Sequence, residues 1–327
     1  DTIDGGGGAD TLTGGAGNDT YVFGTGDVTE SETLADASGT DTLSTAGAAG
    51  TVDFTALNSS GSDLGMIDQL LIDAGEKVTF TGAQLDGEDI VVNKDAGTTP
   101  TTLDINVAGS TAVDFSSLDF ASTFDGNSTL VRLSDTVEIN GDGSDNVITG
   151  TSLADTITGG AGDDTFNVDA DTDTITDLSG SDVLKVSEGA TANATVSANF
   201  TATSATANDN GTVSLSVDSG VDVNLSSAMA GTASEDGYTI DASGNNAANT
   251  LVGSDADDII TGGAGADTLT GGAGSNTFVY ATATDSTAAA ADTAIGNDII
   301  DGFVTADDSL QVGIGADISA ASDYSAT

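Results

Sequence analysis

Aspartate recurs every nine residues in three separated blocks of this chain, in phase with glycine and one large apolar residue. Residues 5–22 read GGGGADTLT then GGAGNDTYV, 150–167 read GTSLADTIT then GGAGDDTFN, and 262–279 read GGAGADTLT then GGAGSNTFV. All share the template G-G-x-G-x-D-x-U-x, where U is large and apolar. A unit this short cannot bury its apolar residue alone, so it must stack on copies of itself.

The aspartate position is filled by Asp1, Asp10 and Asp19 in the first block. It is filled by Asn146, Asp155 and Asp164 in the second, and by Asn249, Asp258, Asp267 and Asn276 in the third. The second block continues in phase through Asp173-Thr174-Ile175 and Asp182-Val183-Leu184. Both other blocks are followed by a 22-residue gap, from Asp19 to Asp41-Thr42-Leu43 and from Asn276 to Asp298-Ile299-Ile300. We read each gap as one step of nine plus a 13-residue loop. Each block ends on an aromatic U residue, Tyr21, Phe166 or Phe278, which is either a plug at the end of a thin core or ordinary strand composition.

The spacing has a chemical reading. Glycines at the first, second and fourth positions admit turn conformations closed to other residues. These are Gly5, Gly6 and Gly8, then Gly14, Gly15 and Gly17, in the first block. They are Gly159, Gly160 and Gly162 in the second. In the third they are Gly262, Gly263 and Gly265, then Gly271, Gly272 and Gly274. Carbonyls of such a turn converge, and the sixth-position carboxylate joins them. Calcium takes six to eight oxygens, so stacked turns of this kind form a calcium site. The last three residues make a short strand with U facing inward and Thr outward. In a two-sided roll, each ion lies between one turn and the next turn on the same edge, two repeats further on. The expected pairs are Asp1 with Asp19, Asn146 with Asp164, Asn249 with Asp267, and Asp258 with Asn276. The Asn positions keep an oxygen and lose a charge.

Charge agrees with metal loading. The chain has 53 acidic and 4 basic residues, for a net charge of −49 over 327 residues. Of the acids, 46 are Asp and 7 are Glu. A solvated acidic coat uses either acid, whereas tight metal-binding turns favour the shorter one. Phosphate backbones and anionic membranes repel such a chain, so nucleic acid is excluded as a partner. With no Cys and no His, disulfides, the usual zinc and haem sites, and Ser-His-Asp or Cys-His catalysis are excluded. No apolar run approaches the ~20 residues of a membrane-spanning helix.

Between the blocks, period-two patterns mark half-buried strands. Leu103, Ile105 and Val107 alternate with Asp104 and Asn106, and Val213, Leu215 and Val217 alternate with Ser214 and Ser216. Val221, Val223 and Leu225 follow the same rule. Strand-like runs recur near 51–55, 67–72, 77–80, 89–93, 102–107 and 111–115, and the Ala-rich stretch 287–294 is a modest helix candidate. The expected fold class is all-β, a parallel β-roll or β-solenoid with intervening β-helix-like segments. It divides into a first calcium block with its exit loop (1–50) and a strand-rich segment (51–138). The second calcium block (139–190), a connecting segment (191–243), and a third calcium block with a capping segment (244–327) follow.

The nonapeptides resemble those of the RTX (repeats-in-toxin) family of secreted calcium-binding proteins, over roughly 1–22, 141–184 and 244–280. The stretches DTITDLSGSDVLKVSEGA (173–190) and NDIIDGFV (297–304) look like elements that follow such repeats, and 51–138 looks like the solenoid portions of large RTX surface-layer proteins and adhesins. The resemblance implies several bound Ca²⁺ ions, type I secretion and an extracellular or cell-surface address. It also points to a structural, non-enzymatic role with self-association into a filament, sheet or lattice, and leaves open a cell-surface or polysaccharide partner. The alternative is a calcium-triggered folding and secretion module attached to a secreted enzyme or toxin. The chain begins in mid-repeat at Asp1, as expected for a piece of a longer polypeptide.

Overall fold

The computed structural model describes all residues except 29–31, 36–37, 46, 58–63, 96–98, 110, 122–134, 231–236, 282–297 and 314–327. The helix candidate at 287–294 lies outside the described residues. The chain forms a parallel β-solenoid. Two compact units, Asp1–Ile157 and Thr158–Thr327, divide it.

Each Thr-U-x triplet becomes a strand. In the first unit Thr2–Asp4, Thr11–Thr13 and Thr20–Val22 carry Ile3, Leu12 and Tyr21 at the inward position. Consecutive triplets lie in different sheets, so the chain returns to the same sheet at every second repeat. Stacking is parallel and in register. Ile3 pairs with Tyr21, Tyr21 with Leu43, Leu43 with Leu70, and Leu70 with Val92. A second column runs through Thr51–Asp53, Lys77–Thr81, Thr102–Asn106 and Thr136–Asn140. In the second unit Thr191–Thr201, Thr212–Val217, Tyr238–Asp241, Ile259–Thr261, Thr277–Tyr280 and Ser309–Val312 form one column. Val223–Asn224, Thr250–Val252, Thr268–Thr270 and Ile299–Asp301 form another.

The core is the thin line of U side chains, with Tyr21, Leu43, Ile148, Phe166, Leu269 and Phe278 all at 0 % exposure. Tyr21, Phe166 and Phe278 do not plug an end. Each sits mid-column, in register with Leu43, Leu184 and Leu310 of the following coil. The Tyr21 hydroxyl is used as well: it accepts from the Gly14 N–H and donates to the Ala35 carbonyl. Between the repeats the core thickens with rings, Phe54 standing edge-on to Phe23 and stacking on Phe80 at 4.9 Å.

Expected strands near 51–55, 67–72, 77–80, 89–93, 102–107 and 111–115 are present as Thr51–Asp53, Gln69–Ile72, Lys77–Thr81, Val91–Lys94, Thr102–Asn106 and Ala112–Asp114. A single helical turn, Gly82–Leu85, has no counterpart in the periodicity. So short a segment cannot show a helical repeat. The turn is held by Gln84, whose side chain accepts from the Thr81 N–H and donates to the Phe54 carbonyl.

The two gaps of equal length that follow the first and third blocks are not alike. In the first unit the gap is a whole coil, because Asp41 lies over Asp19 and Tyr21 pairs with Leu43. In the second unit it is half a coil with extra chain. Asp298 lies over Asp267, Leu269 pairs with Ile300, and Asn276 is covered by Asp308. The second case is a single step lengthened by a loop. In the first, the gap holds two steps, and the longer one comes first, ending at Glu32-Thr33-Leu34.

Candidate metal centre

The sixth-position side chains make a hydrogen-bonded column at the coil edge. At Asp19, Asp41, Asp164, Asn249, Asp258, Asp267 and Asn276 the backbone N–H donates to the side-chain oxygen of the counterpart one coil on. In the first unit Asp19 donates to Asp41 Oδ1 (2.8 Å) and Asp41 to Asp68 Oδ2 (2.7 Å), while Asp1 meets Asp19 Oδ1 through its terminal ammonium. In the second unit Asp164 donates to Asp182 Oδ1 (2.8 Å), Asn249 to Asp267 Oδ1 (2.8 Å), and Asp258 to Asn276 Oδ1 (3.1 Å). The expected partnerships of Asp1 with Asp19, Asn249 with Asp267 and Asp258 with Asn276 are therefore present. Bonds from a backbone N–H to an ionised carboxylate are among the stronger ones.

Burial follows the column. Asp19, Asn146, Asp155, Asp164, Asp173, Asp182, Asn249, Asp258, Asp267 and Asn276 are all buried, Asp10 is half-buried and Asp1 is exposed.

The glycines divide the work. The first-position glycine makes room for the carboxylate folding back over its own turn. A Cβ on Gly159 would lie 2.5 Å from Asp164 Oδ2, and one on Gly262 would lie 2.7 Å from Asp267 Oδ2. Gly5 and Gly271 stand in the same relation to Asp10 and Asn276. The second-position glycines Gly6, Gly15, Gly160, Gly263 and Gly272 take positive φ, between 64° and 98°. Fourth-position Gly8, Gly17, Gly162 and Gly274 do so too. Gly265 does not; there a Cβ would meet the Ala247 carbonyl at 2.5 Å, so close coil-to-coil approach is its reason. Gly14 supplies its N–H to Tyr21.

These sites fit a hard cation. Asp19 Oδ2, Asp267 Oδ2 and Asn249 Oδ1 are buried oxygens with no hydrogen-bond donor. Leaving such an oxygen unpaired costs about 1–3 kcal/mol, more when charged. Burial pushes the Asp267 carboxyl up to about 7, with nearby Asp298 adding to the rise and the Asn249 N–H opposing it. Burial likewise raises Asp182 and Asp258 to about 6, against the pull of the N–H groups of Asp164 and Ser179 on the one and Tyr238 and Ser254 on the other. A cation at these oxygens favours the ionised form.

The sites are not equivalent. Where a hydroxyl residue replaces the second glycine, it caps the carboxylate. Thr151 donates its N–H and hydroxyl to Asp155, and Ser254 does the same to Asp258. Asn146 is likewise engaged, accepting from the Asp142 N–H and donating to the Gly109 carbonyl. The oxygens without donors are at Asp19, Asn249 and Asp267. Among the described residues no three acidic side chains gather into a metal-holding cluster. A cation at this edge would meet one carboxylate or amide per coil and would need further oxygens to reach the six to eight that calcium takes.

Sequence reasoning missed part of the column. Asp68, Asp135 and Asp308 occupy it without the glycine pattern of the repeats, whereas Asp41 and Asp298, read from their D-x-U triplets, carry on its contacts. Their signal is the bare D-x-U triplet, as in Asp68-Gln69-Leu70 and Asp308-Ser309-Leu310. At Asp135 the chain supplies its own cation. The Thr101 N–H donates to Asp135 Oδ1, and the Lys94 ammonium lies 2.5 Å from Asp135 Oδ2 with both side chains 1 % exposed. Lys77 bridges Asp104 and Glu138 in the adjoining coils.

Stacked turns with this donor geometry define a calcium-binding nonapeptide β-roll. The family model for the RTX calcium-binding nonapeptide repeat, in its four-copy form, matches residues 1–30, 140–175 and 243–278, so the three glycine-rich blocks are RTX repeats. No curated protein and no solved structure matches the chain. RTX repeats imply calcium binding and are typical of secreted proteins.

Proposed function

We propose that this chain is a structural segment of an extracellular protein, part of a surface layer, filament or giant adhesin, which folds and self-associates when calcium binds. The observation that carries this reading is the set of buried oxygens left without donors, Asp19 Oδ2 and Asp267 Oδ2. They sit on columns that continue past the repeats into coils stacked by ordinary apolar residues. A net charge of −49 opposes compaction until cations bind. Extracellular modules bind calcium with Kd of roughly 10⁻⁴–10⁻³ M. At roughly 1 mM calcium, one site with Kd near 10⁻⁴ M contributes about 1.4 kcal/mol, so several sites together decide folding. At cytosolic calcium that contribution vanishes, which keeps the chain exportable.

Circular dichroism in chelator and then in millimolar calcium tests the folding step; a strand signal indifferent to chelation counts against it. Electron microscopy with and without calcium tests assembly. Filaments, sheets or lattices that appear with calcium support the structural role. Particles that stay monomeric at every calcium and protein concentration favour the other role, a folding module for a secreted enzyme.

A further inference from the structure

Glu32 is 1 % exposed, and neither of its carboxylate oxygens has a hydrogen-bond partner. Glutamate is rare here, 7 residues against 46 Asp, and a long acidic side chain sealed without a donor is costly. Its position explains it. Glu32-Thr33-Leu34 is a D-x-U triplet with Glu in the ligand place, one coil after Asp10. Thr33–Ala35 pairs with Thr11–Thr13 in register, Leu12 opposite Leu34, and the Thr33 N–H donates to the Asp10 carbonyl. Glu32 therefore lies directly over Asp10, as Asp41 lies over Asp19 in the neighbouring column. Asp10 folds back so that its Oδ2 would lie 3.0 Å from a Cβ on Gly5, the cradle seen at the other repeat turns.

The charges facing Glu32 are Asp10 and Asp27, both negative, and its pKa is raised, chiefly by burial. Asp27 is engaged locally, accepting from the Gly24 N–H at 2.7 Å. The repeat match ends at residue 30, so Glu32 falls outside it.

We infer that Glu32 and Asp10 together form a further calcium site, with glutamate in the place that aspartate takes elsewhere in the column. The inference rests on the repeats themselves binding calcium. The two carboxylates supply part of the shell, and turn carbonyls and water complete it.

The test is calorimetric titration of the full chain with calcium, comparing wild type, Glu32→Gln and Glu76→Gln. Glu76 is also buried with both oxygens unpartnered and also precedes a stacked strand, but its counterparts one coil away are Gly50 and Thr101 rather than a carboxylate, so it controls for the loss of a buried acid. Glu32→Gln should bind one ion fewer, with Glu76→Gln unchanged. A Glu32→Gln titration identical to wild type overturns the site while leaving the other repeats intact. Wild type that binds no calcium overturns both readings.

Should Glu32→Gln fail to fold, crystals of wild type in millimolar calcium decide the matter. An anomalous scattering peak at about 2.3–2.6 Å from a Glu32 oxygen is expected. Peaks at the other turns with none at Glu32 overturn the inference.

Discussion

The backbone N–H of Asp267 donates to Asp298 Oδ1 at 2.9 Å, although 31 residues separate them. Asn249 makes the same bond to Asp267 over 18 residues, and Asp41 to Asp68 over 27. The column is thus indifferent to the length of chain between its members. Its members share a carboxylate or amide oxygen one residue before a strand that stacks in register.

Asp164→Ala should weaken calcium binding in its block and lower stability by about 1–3 kcal/mol, since it unseats a buried hydrogen-bonded carboxylate. Asp164 is 2 % exposed, its N–H bonds Asp182, and its carboxylate fills the Gly159 cradle. Asp95→Ala, at an exposed position outside the repeats, should leave the titration as in wild type. Calorimetry on both variants measures the contrast, and matching curves would remove Asp164 from the ligand set.

Two glycines of the same motif should respond differently. Gly159→Ala places a methyl 2.5 Å from Asp164 Oδ2 and 2.7 Å from the Phe166 ring, an overpacking that costs about 1–3 kcal/mol. Gly7→Ala meets nothing within 4 Å and has no positive φ. Its effect should stay within about 0.5 kcal/mol. Denaturant melts in saturating calcium compare them; equal losses would mean that the carboxylate does not fold over Gly159.

Lys94→Met leaves Asp135 buried without its countercharge. Breaking such a pair from one side typically costs about 3–5 kcal/mol. Adding Asp135→Leu should restore much of the loss, because the stranded charge is removed as well. The deficit should persist at any calcium concentration. If millimolar calcium rescued the single variant fully, the ammonium would be replaceable by a metal ion.

Glu76 yields a pH prediction away from the metal-binding turns. Burial raises its carboxyl above the ordinary range, with the Asp73 charge adding to the rise. An acid whose folded value is raised stabilises the fold at low pH, and that contribution is lost as pH rises through the folded value. Glu76→Gln should therefore raise the melting temperature at pH 8 and change it little at pH 4. Equal shifts at both would show that ionisation is not what the position resists.

Much of this was legible because a nine-residue period is a geometric statement. Asp10, Asp19, Asp164 and Asp267 could be placed at coil edges, and Leu12, Tyr21 and Leu269 in the core, from spacing alone. The connecting strands were visible in the alternation of Leu103 and Ile105 with Asp104. That alternation hid one thing: Asp104 is 7 % exposed and neutralised by Lys77, so a polar residue between apolar ones was not facing water. Equal sequence gaps also misled. The stretches after Asp19 and after Asn276 match in length, but which column receives the next acid depends on strand pairing, which sequence separation does not encode. Glu32 escaped notice because its turn lacks the glycines that mark the others.

Lys94 has a wider consequence. An ammonium tethered to the backbone needs no ion from solution, is not removed by a chelator and keeps its occupancy whatever the surroundings hold. A coil closed in this way is permanently assembled hardware, whereas a coil closed by dissolved calcium is a gauge of its environment. Exchanging one for the other takes a single long basic side chain from a nearby strand. The placement of lysines along such a chain thus sets which stretches answer to dissolved calcium and which are committed without it.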